Sequence, residues 1–284
     1  MLGSFLTGLS IASILLLVAL GLVIVYGSMG VINMAHGELI MLGAYTTVVA
    51  QQYGISFLLC LPIAFFVAGL IGFFIERIVV RHLYGRLLDT LLATWGVGIV
   101  IQQLVRLTFG PGLQNISVPS YLSGNLILGG VNLQPYRLAI FAVAIASLGA
   151  VTFILYKTDF GTCLRAVTQN PQISACNGIN VDQIKGLTFA LGSGLAGIAG
   201  VMVGGLQSVS PTMGTSYVVD SFIVVVVGGV SSLIGAVASS ALLGQVNAFV
   251  AWASNDVIAK AVLFAIAIVI IRFRPQGLFT VKSR

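Results

Sequence analysis

Long, sparsely charged and mostly apolar stretches dominate the chain, at residues 5–28, 34–53, 57–75, 87–107 and 138–156, then at 187–206 and 257–271. Each approaches the ~20 residues that an α-helix needs to cross ~30 Å of hydrocarbon. None shows the ~10-residue in-out alternation of barrel strands, and helices are the other element that satisfies its backbone within lipid. A further stretch, 217–250, is interrupted by Gly228, Gly229, Ser231 and Ser232 and reads as two shorter pieces. The expectation is an all-α, polytopic integral membrane protein with about eight or nine transmembrane or membrane-embedded helices. A single transmembrane domain is expected to occupy residues 1–284.

Basic residues punctuate these stretches in three groups: Arg77, Arg81 and Arg86; Lys157, Arg165 and Lys185; and Arg272, Arg274, Lys282 and Arg284. Short cytoplasmic loops collect Lys and Arg, so all three groups are expected on the cytoplasmic side. That assignment puts the N-terminus and the polar 110–135 loop outside. It also requires an even number of crossings between Lys185 and Arg272, so the interrupted 217–250 stretch should cross twice, or dip and cross unevenly. In the sixth stretch Gly192, Ala196, Gly200 and Gly204 recur every four residues, a small-residue stripe that lets helices pack closely in lipid. Gly/Ser-rich breaks at 26–30 and 228–232 are only slightly alike and do not by themselves establish a repeat.

Composition narrows the class. Of 284 residues, 58% are hydrophobic and 7% charged, against about 25% charged in soluble domains. The net charge of +6 has no soluble basic face to act through, so it reports topology rather than nucleic-acid binding. Cys60, Cys163 and Cys176 form no metal- or redox-spaced pair and read as free thiols. The sequence has no Walker-type phosphate loop and no metal-spaced His/Cys set, and its two histidines, His36 and His82, supply no nucleophile with a base. Neither catalysis nor a cofactor is expected in this chain, and any ATP must be bound elsewhere. Residues Met1 to Ser4 lack the basic region of a secretory signal, so the first helix is expected to be retained.

Ionisable groups inside apolar stretches are costly, so the few present are informative. His36 and Glu38 lie in Asn33-Met34-Ala35-His36-Gly37-Glu38, at the start of the second stretch. Two readings stand: residues of a solute pathway, or an interfacial cap with Asn33 capping and Glu38 at the positive end of the helix dipole. Asp220 reads as a first-turn charge of the helix that follows it. Arg106 and Lys260 read as span-end residues whose stems snorkel to water. Thr94 and Gln102 lie about two turns apart and, with Trp95 and Gln103, form a polar set able to bond a neutral solute or a neighbouring helix. The pathway candidates are His36, Glu38, Thr94 and Gln102.

The 157–186 connection carries Asp159-Phe160-Gly161, Leu164-Arg165-Ala166, Asn170-Pro171, Ala175 and Gly178-Ile179-Asn180. Pro171 suits an early helical position, and Ala175 followed by Gly178 suits a short helix with a stop signal. Such a helix either connects two spans or fits a groove on a soluble partner.

These residues, together with Asn33 to Glu38, Val225 to Gly229 and Arg274-Pro275-Gln276-Gly277-Leu278-Phe279, resemble the permeases of branched-chain amino acid and urea importers over nearly the whole chain. The resemblance implies the permease subunit of an ATP-binding-cassette importer in the bacterial cytoplasmic (inner) membrane, working by alternating access. It implies a heterodimer of two permeases, two cytoplasmic ATPases that bind ATP and Mg, and a periplasmic solute-binding protein. It further implies that 157–186 is the ATPase coupling loop, with Arg165, Ala166, Ala175 and Gly178 as coupling residues. Within the family, Leu92-Ala93-Thr94-Trp95-Gly96-Val97, Gln102-Gln103-Leu104-Val105-Arg106, Ala166-Val167-Thr168-Gln169-Asn170 and Asp220-Ser221-Phe222 resemble the urea-type subgroup.

Urea is therefore the expected cargo, with a branched-chain amino acid as the alternative. Urea, being neutral, needs dipoles and hydroxyls along its path, whereas a zwitterion favours charged partners, which are scarce in these spans. Two rival classes remain. An ATP-independent small-solute channel would keep conducting after changes between Arg165 and Gly178. A secondary transporter using a proton at Glu38 or Asp220 would follow the proton gradient.

Overall fold

The computed structural model describes residues 2–124, 126–128, 131–230, 232–274 and 277–279. In chain order the helices are α1 (Leu2–Met29), α2 (His36–Gln52), α3 (Phe57–Ile78), α4 (Leu87–Phe109), a short α5 (Ser120–Ser123), α6 (Pro135–Lys157), α7 (Asp159–Gln169), α8 (Pro171–Cys176), α9 (Val181–Gly204), α10 (Met213–Gly228), α11 (Leu233–Ala253) and α12 (Asp256–Phe273). A 3-10 turn covers Val80–Leu83, and a two-stranded hairpin, β1 (Leu126–Leu128) against β2 (Val131–Leu133), sits between α5 and α6.

Among the described residues, α1, α3, α4, α6, α9 and α11 are long and apolar enough to span a membrane. Three more helices belong to the same bundle. α2 has 17 residues, α10 is a shorter apolar helix of 16 residues, and α12 carries Asp256, Lys260 and Arg272 within its 18 residues. The chain is thus an all-α, multi-pass membrane protein, with the interrupted 217–250 stretch resolved into α10 and α11.

The described members of the three basic groups gather at one end of the bundle, whereas Arg106, Arg137 and Lys260 sit at the other ends of α4, α6 and α12. Arg81 of the 3-10 turn lies 3.6 Å from Asp182 at the start of α9, and Lys185 sits 4.1 Å over the Tyr84 ring. The ends of α1 and α6, helix α7 and the start of α11 border one groove there. Leu278 and Phe279 donate backbone hydrogen bonds to the carbonyls of Val227 and Gly228, which brings the tail after α12 to the same end. Lys282 and Arg284 lie outside the described residues. At the opposite end, Gln51 is bonded to Ser117 through both its amide groups at 2.8 Å, and Gln114 bridges to Val209.

One boundary differs from expectation. Helix α9 begins at Val181 rather than near 187, because the Asn180 side chain accepts a hydrogen bond from the Gln183 amide at 3.0 Å and so caps it. Residues 181–186 of the expected coupling loop are therefore the first turns of α9.

Helix α9 is the axle of the fold. A methyl group at Gly200 would meet the Ile40 carbonyl of α2, one at Gly192 would meet Val25 and Gly21 of α1, and one at Gly197 the Ala64 carbonyl of α3. The small-residue stripe is packing, as its spacing implied: with no hydrophobic drive between helices in lipid, the van der Waals attraction of closely approaching backbones holds them together.

Candidate functional site

The chain leaves α1 at Met29, turns at Gly30 (φ +64°), and runs as non-helical backbone back into the protein before α2 starts at His36. His36 Nε2 lies 2.9 Å from the Val18 carbonyl, about 16 Å along α1 from its C-terminal end by the helical rise. Helix α2 therefore begins deep in the bundle, not at its surface. Irregular backbone is tolerated at such depth only when protein covers it, and here Val31, Asn33 and Ala35 are all buried.

Thr94 of α4 holds this segment in place. Its hydroxyl accepts from the Met34 amide at 3.0 Å and has the Thr90 and Ile32 carbonyls at 2.7 and 3.2 Å to receive its proton. Asn33 Oδ1 accepts from the Ala35 amide at 3.1 Å. The cap reading holds for Asn33 only as this local turn, since the residue at the N-cap position of α2, Ala35, makes no side-chain capping bond.

Of the four pathway candidates, His36 faces α1, with its ring beside Gly21, whereas Glu38 lies against Gly98 of α4. A carbonyl only accepts, so the bond to Val18 places the histidine proton on Nε2. Asn33 Nδ2, His36 Nδ1 and Glu38 Oε2 are buried without a hydrogen-bond partner. Such buried orphans are uncommon, and three occur within six residues. Thr90, Thr94 and Gly98 form the buried face of α4, and Gln102 continues it to a half-exposed position. The structure thus brings Glu38 and Thr94 to the same stretch of α4 and turns His36 away from it.

The connection between α6 and α9 is ordered by its own capping. Thr158 accepts from the Gly161 amide at 3.3 Å to start α7, and Asn170 accepts from the Ile173 amide at 3.0 Å to start α8. Pro171 occupies the first position of α8, and Gly178 follows it with φ +81°, a conformation that disfavours other residues. Arg165 bonds the Leu155 carbonyl and the Thr162 hydroxyl and lies 5.6 Å from the Tyr156 ring, which ties α7 to the end of α6. Ala166 is half-buried, while Ala175 and Gly178 are exposed. Ile173 is 60% exposed on α8, an apolar side chain at the tip of a charged end.

Sequence comparison bears on this architecture. Residues 4–271 match the family model described as branched-chain amino acid transport system / permease component. The chain belongs to that permease family. It is 31% identical to the high-affinity branched-chain amino acid transport system permease protein BraD of Pseudomonas aeruginosa, over 95% of this chain and 93% of that one. It is 29% identical to the permease LivH of Escherichia coli K12, over 95% and 92% respectively. Its fold resembles PsaBC from Streptococcus pneumoniae, solved with a Fab, at a TM-score of 0.50 and 13% identity, covering 92% of this chain and 89% of that one.

Two polar groupings of this permease were not legible as such in its sequence. Glu76, at the end of α3, is fully buried. Its Oε1 accepts from the Tyr84 hydroxyl at 2.7 Å and lies 3.9 Å from Arg81 Nε. Burial, reinforced by that bond to the carboxylate, pushes the Tyr84 hydroxyl above the usual phenol range. The second grouping corrects the reading of Asp220. Asp220 sits in the middle of α10, whose first turn holds no acidic residue, and its Oδ2 lies 3.9 Å from Lys260 Nζ of α12. Asp220 is therefore not a helix-end charge, while Lys260 lies near the start of α12. Helix α10 starts at Met213, seven residues before Asp220, and Gly214 in its first turn packs against Gly37, an approach invisible along the chain. The three cysteines are free, as expected.

Proposed function

We propose that this permease is the solute-translocating subunit of an ATP-binding-cassette importer in the inner membrane, and that its cargo is a branched-chain amino acid. It alternates between outward and inward openings. ATP and Mg bind to two partner ATPases, a periplasmic protein delivers the solute, and a second permease subunit completes the passage at a dimer interface. The observation that carries this reading is α8: a short, exposed, capped helix held on α7, which Arg165 fastens to the end of a membrane-spanning helix. Such an element transmits motion without deforming. Arg165 and Ala166 anchor it, and Ala175 and Gly178 shape the surface offered to an ATPase. Within the membrane, Glu38 and Gln102 are the pathway side chains, with His36 and Thr94 positioning the backbone around them.

The cargo assignment is supported by the names of the two permeases above, which match over nearly their full length. A second reading, urea, is favoured by Leu92 to Val97, Gln102 to Arg106 and Ala166 to Asn170, which resemble urea-type members. Uptake of labelled leucine and labelled urea by the assembled complex, with and without ATP, decides between them.

The coupling role is tested by Ile173→Asp. A charge at the centre of a docking surface costs about 2 kcal/mol or more, so ATP-driven uptake should fall at least roughly tenfold while insertion and thermal midpoint hold. Unchanged uptake would remove the docking role, and ATP-independent flux would promote a channel.

A further inference from the structure

A cavity of about 540 Å³ opens among α1, α10, α11 and α12, beneath the loop that follows α9 and at the end of the bundle opposite Arg81 and Lys185. Its size falls within the roughly 300–1,000 Å³ of small-molecule sites. Its walls are of two kinds. Ile11 and Leu15 of α1 with Leu263 and Phe264 of α12 give an apolar side. Ser216 and Asp220 of α10, Asn247 of α11 and Lys260 of α12 give a polar side.

The two charges are not locked together. Lys260 Nζ stands 3.9 Å from Asp220 Oδ2, beyond hydrogen-bonding distance, and no other salt-bridge partner is present for either among the described residues. Asp220 is largely buried while the Lys260 side chain is 56% exposed, and an ion pair is a poor clamp between helices, since apolar packing does the same work without desolvation. Two opposite charges held apart in a cavity that apolar side chains also line have the form of a recognition site.

We propose that this cavity is an outward-facing solute site of the permease. Asp220 accepts hydrogen bonds from the amino hydrogens of the solute, Lys260 donates to its carbonyl or carboxylate oxygen, and the apolar wall receives any aliphatic side chain. A branched-chain amino acid and urea share the amino and C–O groups, and only the amino acid fills the apolar side. The site deepens the importer reading of this chain and rests on it.

The experiment uses the assembled importer in intact cells, with Cys163 and Cys176 replaced by serine and S216C introduced into the cavity wall. A membrane-impermeant maleimide added from outside should label S216C, and leucine should slow that labelling. Slowing by urea instead assigns the same site to the smaller solute. D220N and K260M should each abolish the protection and lower ATP-driven uptake roughly tenfold, the loss expected for a charge-assisted hydrogen bond. Absence of labelling, absence of protection by either solute, or protection that persists in both variants overturns the site. Loss of ATP dependence in the parent complex instead sinks the importer reading, and solute protection of S216C is still readable in that case.

Discussion

Helices α1 and α6 are comparably apolar, yet 83% of the span window of α1 is buried inside the protein against 22% of that of α6. Helix α9 is less apolar than either and is 78% buried. In water, apolarity would have ordered these helices from inside to outside. In lipid it does not, because the surroundings are as apolar as leucine and burying a leucine gains nothing by transfer. For α9 the deciding property is side-chain size. Helix α9 is interior because Gly192, Gly197 and Gly200 let three neighbours approach its backbone. Helices α4 and α6 stay at the rim, with Leu104 and Phe153 turned outward.

The sharpest way to break this contrast is to put bulk on the axle. Gly200→Leu drives a side chain into the Ile40 carbonyl, and overpacking of this kind costs about 3 kcal/mol or more. The thermal midpoint in detergent should drop steeply or the chain should fail to fold.

Thr94→Val probes the inner face of a rim helix, since it strips the Met34 amide of its partner in a buried setting. An orphaned buried donor costs about 1–3 kcal/mol, and denaturant unfolding should report it. Tyr84→Phe leaves Glu76 short of a partner at the basic end and should cost about 1 kcal/mol at neutral pH. Its effect should change with pH in a set direction. The phenol is held protonated in the fold, so its contribution is full below the ordinary tyrosine pKa of about 10 and is lost as pH rises beyond it. The stability gap between Tyr84→Phe and the parent should therefore narrow in alkaline buffer. Leu104→Ala, on the outward side of α4, should fall within about 0.5 kcal/mol in the isolated subunit. A larger loss in the assembled complex would show that a partner, not lipid, covers α4.

Much of the fold was readable because its determinants are local. The length of the apolar runs, the Arg and Lys groups at the helix ends, the four-residue stripe in α9 and the Asn170-Pro171 start of α8 act within one helix or one turn. Ala175 was placed on a short helix for the same reason. The polar sites were less readable. Thr94 looked available to a solute, yet its hydroxyl is engaged by the 30–35 segment, more than fifty residues earlier in the chain.

The sequence by itself determined the solvent of this protein, its all-α class and the short capped helix between α6 and α9, since hydropathy and capping are written residue by residue. Only the tertiary structure decided that α2 starts deep in the bundle, that α9 is the centre, and that Asp220 lies beside Lys260 in the wall of a cavity. Those features depend on which small residues let which backbones meet, and in lipid no difference in hydrophobicity along the chain announces the choice.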